Sequence, residues 1–244
     1  MAKVLDLSEI LGAPVENWTP PPRPSGEILQ GRFARLERLT LENHSEELFQ
    51  QFAGADHVWT FMPYGPFETL DDYRAWMKGT LADDAHLFYA IRNLESGRFE
   101  GVASYLRINP ESGSIEVGHI NFSPALQRTR AATETMYLMM QWAFESGYRR
   151  YEWKCNALNM ASRRAAQRLG LSYEGVFRQA TVSKGYNRDT AWFAAIDSEW
   201  PRLEQAFAAW LSPDNFDGAA QRQSLSNLTR HILVSSDTDL TDPS

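Results

Sequence analysis

The chain has 244 residues, of which 43% are hydrophobic and 12% aromatic, and its formal net charge is −7. This length and composition predict one globular domain with extensions and exclude a wholly disordered or low-complexity protein. The mildly acidic charge argues against a nucleic-acid binder with a broad basic face, because such a face must neutralise phosphates.

Two extensions are expected to flank the domain. Residues 1–29 are predicted to be an extended, proline-rich arm, because the sequence WTPPPRPSG over Trp18–Gly26 cannot sustain a helix. Residues 201–244 are predicted to form a C-terminal helix and a polar tail, with a weak helix within Ala219–Ile232. The domain itself is expected over residues 30–200.

Within the domain, alternating and helical periodicities follow one another along the chain. Strands are predicted over Arg32–Leu39, Leu87–Arg92, Phe99–Ile108, Ser114–Phe122, Arg150–Cys155, Tyr173–Val182 and Thr190–Ile196. Four helices are predicted. The first spans Ser45–Phe52, the second begins at a capping box over Thr69–Asp72, and the other two span Arg130–Ser146 and Ala161–Leu169. This order predicts an α/β (α+β) fold in which helices flank one twisted, mixed sheet.

The strand Ser114–Phe122 contains an irregularity. Its apolar positions 115 and 117 are followed by 120 and 122, so the alternation slips by one residue across Gly118–His119. An inserted bulge explains the slip, and Gly118 tolerates the backbone angles that a bulge needs. Unpaired N–H groups at a bulge can bind a carbonyl oxygen or an oxyanion, although Gly118 can equally serve only to bend the sheet.

The next segment, Ser123–Ala132, leads into a predicted helix N-terminus. Successive N–H groups and the positive end of the helix dipole suit a phosphate there, and Arg128 and Arg130 add charge. The segment has neither a P-loop nor a dinucleotide-binding fingerprint. Taken alone, two arginines at a helix start more often mark a solvated surface.

Together, the bulged strand, the turn Gln127–Ala132, the long helix and the run Asn159–Ser162 leading to Leu169–Leu171 resemble the GNAT N-acetyltransferase superfamily. The chain is most similar to the branch that includes the ribosomal-protein N-terminal acetyltransferases. The resemblance spans about residues 30–200. It implies a largely antiparallel sheet with a bulged central strand, and acetyl-CoA as co-substrate without a metal.

The same resemblance implies roles for individual residues. The implied cofactor-binding residues are Val117, Gly118 and His119 for the thioester carbonyl, Gln127, Arg128, Thr129, Arg130, Ala131 and Ala132 for the pyrophosphate, Asn159 for the pantetheine arm, and Ser162 near the sulfur. Arg130 stands where the family's pyrophosphate motif has glycine. Ser162 is also implied as a proton donor, since Ala166 occupies the place where many relatives have a tyrosine.

Two residues compete for the role of general base. Glu116 is favoured, because partial burial would raise its pKa and let it accept the amine's proton through a water. The alternative for Glu116 is an outward-facing residue with a cross-strand partner. His119 is the competing base, since an imidazole has an ordinary pKa near ~6.5.

Other reactive or charged residues receive simpler assignments. Cys155 is the one cysteine, which leaves no disulfide framework or cysteine-based zinc cluster, and a packed thiol is favoured over an acyl-cysteine. Arg163, Arg164 and Arg168 form a basic helix stretch that is assigned to the CoA 3′-phosphate. A solvated face, with Arg164 and Arg168 four residues apart, is the alternative.

The expected activity is acyl-CoA-dependent N-acyl transfer, most simply of acetyl to a primary amine by direct attack in a ternary complex. The alternatives are a catalytically silent acyl-CoA-binding regulatory module, a nucleic-acid binder that uses the Arg163–Arg168 helix, and transfer to a hydroxyl or of a longer chain. The aromatic-rich residues 54–82 are expected to shape the acceptor site. The acceptor is expected to be a peptide or small-molecule amine, and the acidic surface favours a cationic one.

The expected setting is the cytoplasm. No stretch of the chain approaches the ~20 apolar residues of a membrane span, and the N-terminus does not resemble a signal peptide. Neither nucleic acid nor a membrane is therefore expected as a partner, and the chain is expected to be a monomer or a homodimer.

Overall fold

The computed structural model describes residues 11–218 and 220–240. Residues 1–10 of the predicted arm, Ala219 and the last four residues of the predicted tail lie outside this description. Eight strands form one sheet: β1 (Leu29–Gln30), β2 (Ala34–Arg38), β3 (Leu87–Asn93), β4 (Arg98–Asn109), β5 (Ser114–Phe122), β6 (Arg150–Asn156), β7 (Ser172–Ser183) and β8 (Tyr186–Ile196). Their spatial order is β1-β2-β3-β4-β5-β6-β8-β7.

Six helices accompany the sheet in the described residues: α1 (Leu41–Phe52), α2 (Leu70–Leu81), α3 (Arg130–Glu145), α4 (Met160–Arg168), α5 (Trp200–Leu211) and α6 (Leu225–Thr229). A small hairpin, β9 (Phe216–Asp217) and β10 (Ala220–Gln221), follows α5. The predicted fold class is confirmed, because six of the seven neighbouring strand pairs in the sheet are antiparallel and the remaining pair, β5 and β6, is parallel. Strand β5 has the predicted bounds, whereas β8 begins at Tyr186 rather than Thr190.

Side-chain caps fix where the helices begin. The Thr69 hydroxyl accepts a hydrogen bond from the Asp72 N–H at 3.1 Å, as the predicted capping box requires. Thr129 caps α3 in the same way, through the Ala132 N–H at 3.1 Å. Each cap satisfies one N–H group that has no partner inside its helix, which contributes about 1 kcal/mol.

The sheet separates two apolar layers. On β3, Tyr89 and Ile91 belong to one buried cluster, while Phe88 and Ala90 belong to the other, because successive side chains point to opposite faces. Helices α3 and α5 cover the larger cluster, and α1 and α2 cover the smaller one. None of the helices in the described residues is both long and apolar enough to cross a bilayer.

The segment after α5 packs back onto the domain. Ile232 joins the larger apolar cluster, and Asp237 is fully buried beside α4. The weak helix expected within Ala219–Ile232 is the single short helix α6, which begins after the Ser224 cap. Before α6 the chain instead forms the β9–β10 hairpin, so the helix prediction was wrong for the first half of that range.

Candidate active site

A cavity lies where two neighbouring parallel strands separate. Strands β5 and β6 pair over Ser114–Val117 and Arg150–Trp153, and no pair joins them beyond Val117. The cavity at this divergence has a volume of about 470 Å³. Its walls come from β4, β5, β6, the start of α4, the β7–β8 hairpin and the loop of residues 61–63.

The predicted bulge in β5 is confirmed, and its geometry places His119 in the cavity wall. Val102 pairs with Asn121 but Ser104 pairs with Gly118, so two residues, 119 and 120, stand opposite one on β4. The unusual backbone angle falls on His119, whose φ is 49°, and not on Gly118 as expected. At Gly118 a Cβ would lie 2.9 Å from Cδ2 of Leu106, so a larger residue there would require the Leu106 side chain to shift.

The His119 imidazole is held in its neutral form. Its Nδ1 lies 2.9 Å from the Tyr64 hydroxyl oxygen, and the two rings stack. Burial is the largest of the causes that lower the pKa of His119 to about 4, and nearby His86, Arg107 and Arg188 act in the same direction. At neutral pH this side chain is therefore free to accept a proton.

Glu116 also lines the cavity, but cations hold both of its oxygens. Its side chain is 3% exposed; Arg107 Nη1 donates to the two oxygens at 2.7 and 2.8 Å, and Lys154 Nζ lies 2.8 Å from Oε2. Lys154 in turn donates to Glu152 at 2.7 Å. Glu116 thus has the cross-strand partners of the alternative interpretation while facing inward, and its role as a base stays a prediction.

The start of α4 supplies two predicted cofactor residues to the same cavity. Asn159 caps the helix, since its Oδ1 accepts from the Ser162 N–H at 3.1 Å, and its amide nitrogen donates to no other described residue. The Ser162 hydroxyl accepts a hydrogen bond from Trp153 Nε1 at 3.0 Å, and the buried Cys155 thiol lines the same cavity. Burial raises the pKa of that thiol, which favours the expected packed cysteine over a nucleophile.

The predicted pyrophosphate turn lies outside the cavity, with none of residues 127–132 in its walls. Arg128 has a φ of 62°, and the backbone N–H groups of Arg128, Arg130 and Ala131 have no hydrogen-bond partner among the described residues. Such N–H groups ahead of a 16-residue helix suit an anion. The Arg130 guanidinium does not project from this turn freely, because it stacks on the rings of Phe33 and Phe216 at 4.8 and 5.1 Å.

The three α4 arginines do not form the common basic face that the sequence suggested. Arg163 is buried and pairs with Asp237 at 2.6 Å and with Asp239 at 2.8 Å, so it is not available to a CoA phosphate. Arg168 is half-buried and donates to Thr133 at 3.2 Å. Arg164 alone is exposed. The helix-borne nucleic-acid alternative loses its basic surface for the same reason.

The aromatic stretch expected to shape the acceptor site is mainly core. Trp59 and Tyr73 are buried in the smaller apolar cluster, and Phe61, with Met62 and Pro63, reaches the cavity. The tip of the β7–β8 hairpin crosses to this stretch, where Lys184 Nζ donates to the carbonyl oxygens of Trp59 and Gly65, each at 2.9 Å. His86 also lines the cavity, beside His119.

One row of cavity residues, on β8, was not predicted from the sequence. Arg188, Thr190 and Trp192 alternate along β8 and all line the cavity. The Arg188 Nε and Trp192 Nε1 atoms are buried without a hydrogen-bond partner among the described residues. The sequence did contain a signal for this row, because Arg188, Thr190 and Trp192 alternate with Asp189 and Ala191 as in a strand. The predicted strand, however, began at Thr190 and therefore left Arg188 out.

Comparisons with known proteins agree with this architecture. Residues 34–172 match the family model described as an acetyltransferase (GNAT) domain. A crystal structure of a GCN5-related N-acetyltransferase from Brucella melitensis has a TM-score of 0.86 and 44% identity, covering 88% of this chain and 100% of that one. A probable GNAT-family acetyltransferase from Chromobacterium violaceum has a TM-score of 0.74 and 40% identity, covering 78% and 96%.

Two more distant relatives extend the comparison. An uncharacterized N-acetyltransferase from Bacillus subtilis, YnaD, is 23% identical over 62% of this chain and 86% of its own length. RimL, a ribosomal L7/L12 alpha-N-protein acetyltransferase, shares the fold with a TM-score of 0.61 at 21% identity, covering 73% and 99%. The predicted superfamily is therefore confirmed, and the fold includes the expected branch among its neighbours.

Proposed function

The chain belongs to the GNAT acetyltransferase family, and from this premise we propose that it transfers the acetyl group of acetyl-CoA to a primary amine in a ternary complex. The observation that carries the proposal is the divergence of β5 and β6 beyond Val117, which opens a cavity bordered by the bulge and the start of α4. Both substrates can meet there, and proximity of this kind is a large part of catalysis of acyl transfer.

The residues present suit acetyl-CoA. The unpaired N–H groups of Arg128, Arg130 and Ala131 would hold the pyrophosphate, and the Asn159 amide would bind the pantetheine arm. Bound acetyl-CoA supplies an activated thioester, so that a C–N bond forms with the amine, the C–S bond breaks and the sulfur leaves as a thiol. The backbone of Val117–His119, at the bulge, would polarise the thioester carbonyl.

The chain's own proton transfers are assigned to His119 and Ser162. In the tautomer that carries its hydrogen on Nδ1, neutral His119 donates to the Tyr64 hydroxyl oxygen, and its free Nε2 accepts the proton of the attacking amine. The Ser162 hydroxyl, whose oxygen accepts from Trp153, donates its hydrogen to the departing sulfur and regains a proton from solvent, while His119 releases the amine's proton to solvent. Glu116 is a positioning residue in this scheme, because it fixes Arg107 and Lys154 in the cavity wall.

The first experiment separates an enzyme from a catalytically silent acyl-CoA-binding module. Calorimetric titration of the full chain with acetyl-CoA, desulfo-CoA and ATP is expected to give micromolar binding of both CoA compounds and much weaker binding of ATP. Release of free CoA is then followed with a thiol reagent against a panel of amines. Binding without CoA release on any amine would support the silent module, and no binding would overturn the proposal as a whole.

A further inference from the structure

The charged side chains that line the cavity are mostly cationic. Among the described residues they are Arg107, Lys154, Arg188 and Glu116, so the wall carries three positive charges and one negative. Two carboxylates account for two of the cations, because Glu116 pairs with Arg107 and Lys154, and Glu152 also pairs with Lys154. Arg188 is left without an acidic partner in the described part of the chain.

Arg188 and its neighbour on β8 present hydrogen-bond donors that lack acceptors. Arg188 Nε and Trp192 Nε1 are both buried, and neither has a partner among the described residues. A buried donor without a partner costs about 1–3 kcal/mol, and a charged one costs more. Two such donors on one face of one strand, in the wall of one cavity, indicate that a ligand supplies the acceptor atoms.

The pyrophosphate of acetyl-CoA does not account for these donors. The turn assigned to the pyrophosphate, residues 127–132, contributes nothing to the cavity wall, and the pantetheine arm carries no charge. Arg188 instead lies on the β7–β8 hairpin, whose tip reaches the aromatic stretch through Lys184. The unmatched charge therefore faces the part of the cavity that remains for the acceptor.

We propose that the acceptor is an amine that also carries a carboxylate, such as an amino acid, and that Arg188 binds this carboxylate. The inference rests on the proposed function and adds the class of substrate. A planar guanidinium binds a carboxylate through two parallel hydrogen bonds, which a neutral or cationic amine cannot provide. It also reverses the expectation from the acidic surface, because the charge in the cavity has the opposite sign to the net charge of the chain.

The carboxylate would also assist the base. Arg188 is one of the cations that hold the pKa of His119 down, after burial, His86 and Arg107. A carboxylate paired with Arg188 offsets that charge, so the imidazole becomes more basic when the acceptor is in place.

The test compares amino acids with the amines that remain after loss of their carboxylate. CoA release is measured for the protein amino acids, the corresponding decarboxylated amines, O-phosphoethanolamine and spermidine. At least one amino acid is expected to exceed its decarboxylated partner in kcat/KM by about 30-fold, the value of a hydrogen-bonded charge pair. O-phosphoethanolamine distinguishes a phosphate from a carboxylate as the anion, and a preference for it would overturn the carboxylate assignment.

Variants identify the residue. Arg188→Gln is expected to raise KM for the preferred amino acid about 30-fold and to leave KM for acetyl-CoA within twofold. Arg178→Gln, an exposed arginine of the same hairpin that does not line the cavity, is the matched control and is expected to change neither. A rise in KM for acetyl-CoA instead would assign Arg188 to the cofactor and overturn the inference.

The outcomes separate the two proposals. If amines without a carboxylate are used as well as amino acids or better, the inference is wrong while the acetyltransferase activity stands. If no amine releases CoA, the proposed function fails and the inference fails with it.

Discussion

Two arginines on opposite sides of α4, the buried Arg163 and the half-buried Arg188, differ in their acidic partners. On the side of the C-terminal tail, Arg163 meets two aspartates, and its side chain and that of Asp237 are 4% and 0% exposed. On the cavity side, Arg188 has no acidic partner among the described residues and keeps a buried, unpaired Nε. A charge satisfied within the chain serves the fold, whereas one left unsatisfied is available to a ligand.

The largest expected effect comes from breaking the ion pair of Arg163 and Asp237. Asp237→Asn leaves the Arg163 guanidinium buried without its main counter-charge, so the free energy of unfolding is expected to fall by about 3 kcal/mol. Urea denaturation of the full chain measures it. The control is Asp239→Asn, whose carboxylate is 65% exposed and is expected to cost under ~1 kcal/mol. Equal losses for the two variants would contradict the distinction.

The second prediction concerns the protonation of His119, which lies in the cavity wall near Arg188. The pKa of His119 is about 4 in the folded chain and near ~6.5 when unfolded, so the unfolded state binds more protons between these values. The free energy of unfolding is therefore expected to fall as pH falls from about 6.5 to 4, by about 3 kcal/mol in total. In His119→Gln this part of the pH dependence should disappear. Urea titrations of both proteins across pH 4–7 test it, and parallel curves would refute the assignment.

The third prediction concerns catalysis on the cavity side. His119→Gln is expected to lower kcat about 100-fold, because the group that accepts the amine's proton is removed, while the Kd for desulfo-CoA stays within a few-fold. Tyr64→Phe removes the hydrogen-bond partner of Nδ1 and is expected to lower kcat by a smaller factor. If His119→Gln retains turnover and Glu116→Gln loses it, Glu116 is the base, as the sequence first suggested.

Exchange of each arginine for methionine sharpens the comparison further. Arg188→Met removes a half-buried charge that has no acidic partner among the described residues, so the free energy of unfolding is expected to rise by about 1 kcal/mol. Arg163→Met strands Asp237 instead and is expected to destabilise the fold. Thermal denaturation of the ligand-free variants measures both the expected gain of stability in Arg188→Met and the expected loss in Arg163→Met. A loss of stability in Arg188→Met would mean that Arg188 also serves the fold.

The smallest effect belongs to a third arginine. Arg130 takes the position of the family's glycine, but its guanidinium stacks on Phe33 and Phe216 and does not line the cavity. Arg130→Gly is therefore expected to change the Kd for desulfo-CoA by less than about threefold while losing some stability with the stacking contacts. Calorimetry at matched salt decides. A larger gain in affinity would show that the arginine obstructs the turn.

The sequence predicted the fold well because the fold rests on local signals. Periodicity located the strands, the phase slip across Gly118–His119 located the bulge to within one residue, and the Thr69 cap located the start of α2. These features depend on residues a few positions apart, so they are visible in one sequence.

The site was less accessible because its partners are distant along the chain. Arg163 and Asp237 are 74 residues apart, and Tyr64 and His119 are 55 apart, so no spacing rule links them. For Glu116 the sequence left an inward and an outward orientation open, and Lys154 reaches it from a neighbouring strand whose pairing only the folded sheet defines. Arg188 stands out because it has no acidic partner among the described residues, and this can be recognised only once the residues around it in the fold are known.

The return of residues 220–240 to the domain determines where this protein can be cut. The family match ends at residue 172, yet Leu203, Leu225 and Ile232 complete the same apolar core. A fragment that stops at residue 200 would expose that core and deprive Arg163 of both aspartates. Fragments for expression or crystallisation therefore have to follow the packing of the chain beyond the limits of family similarity.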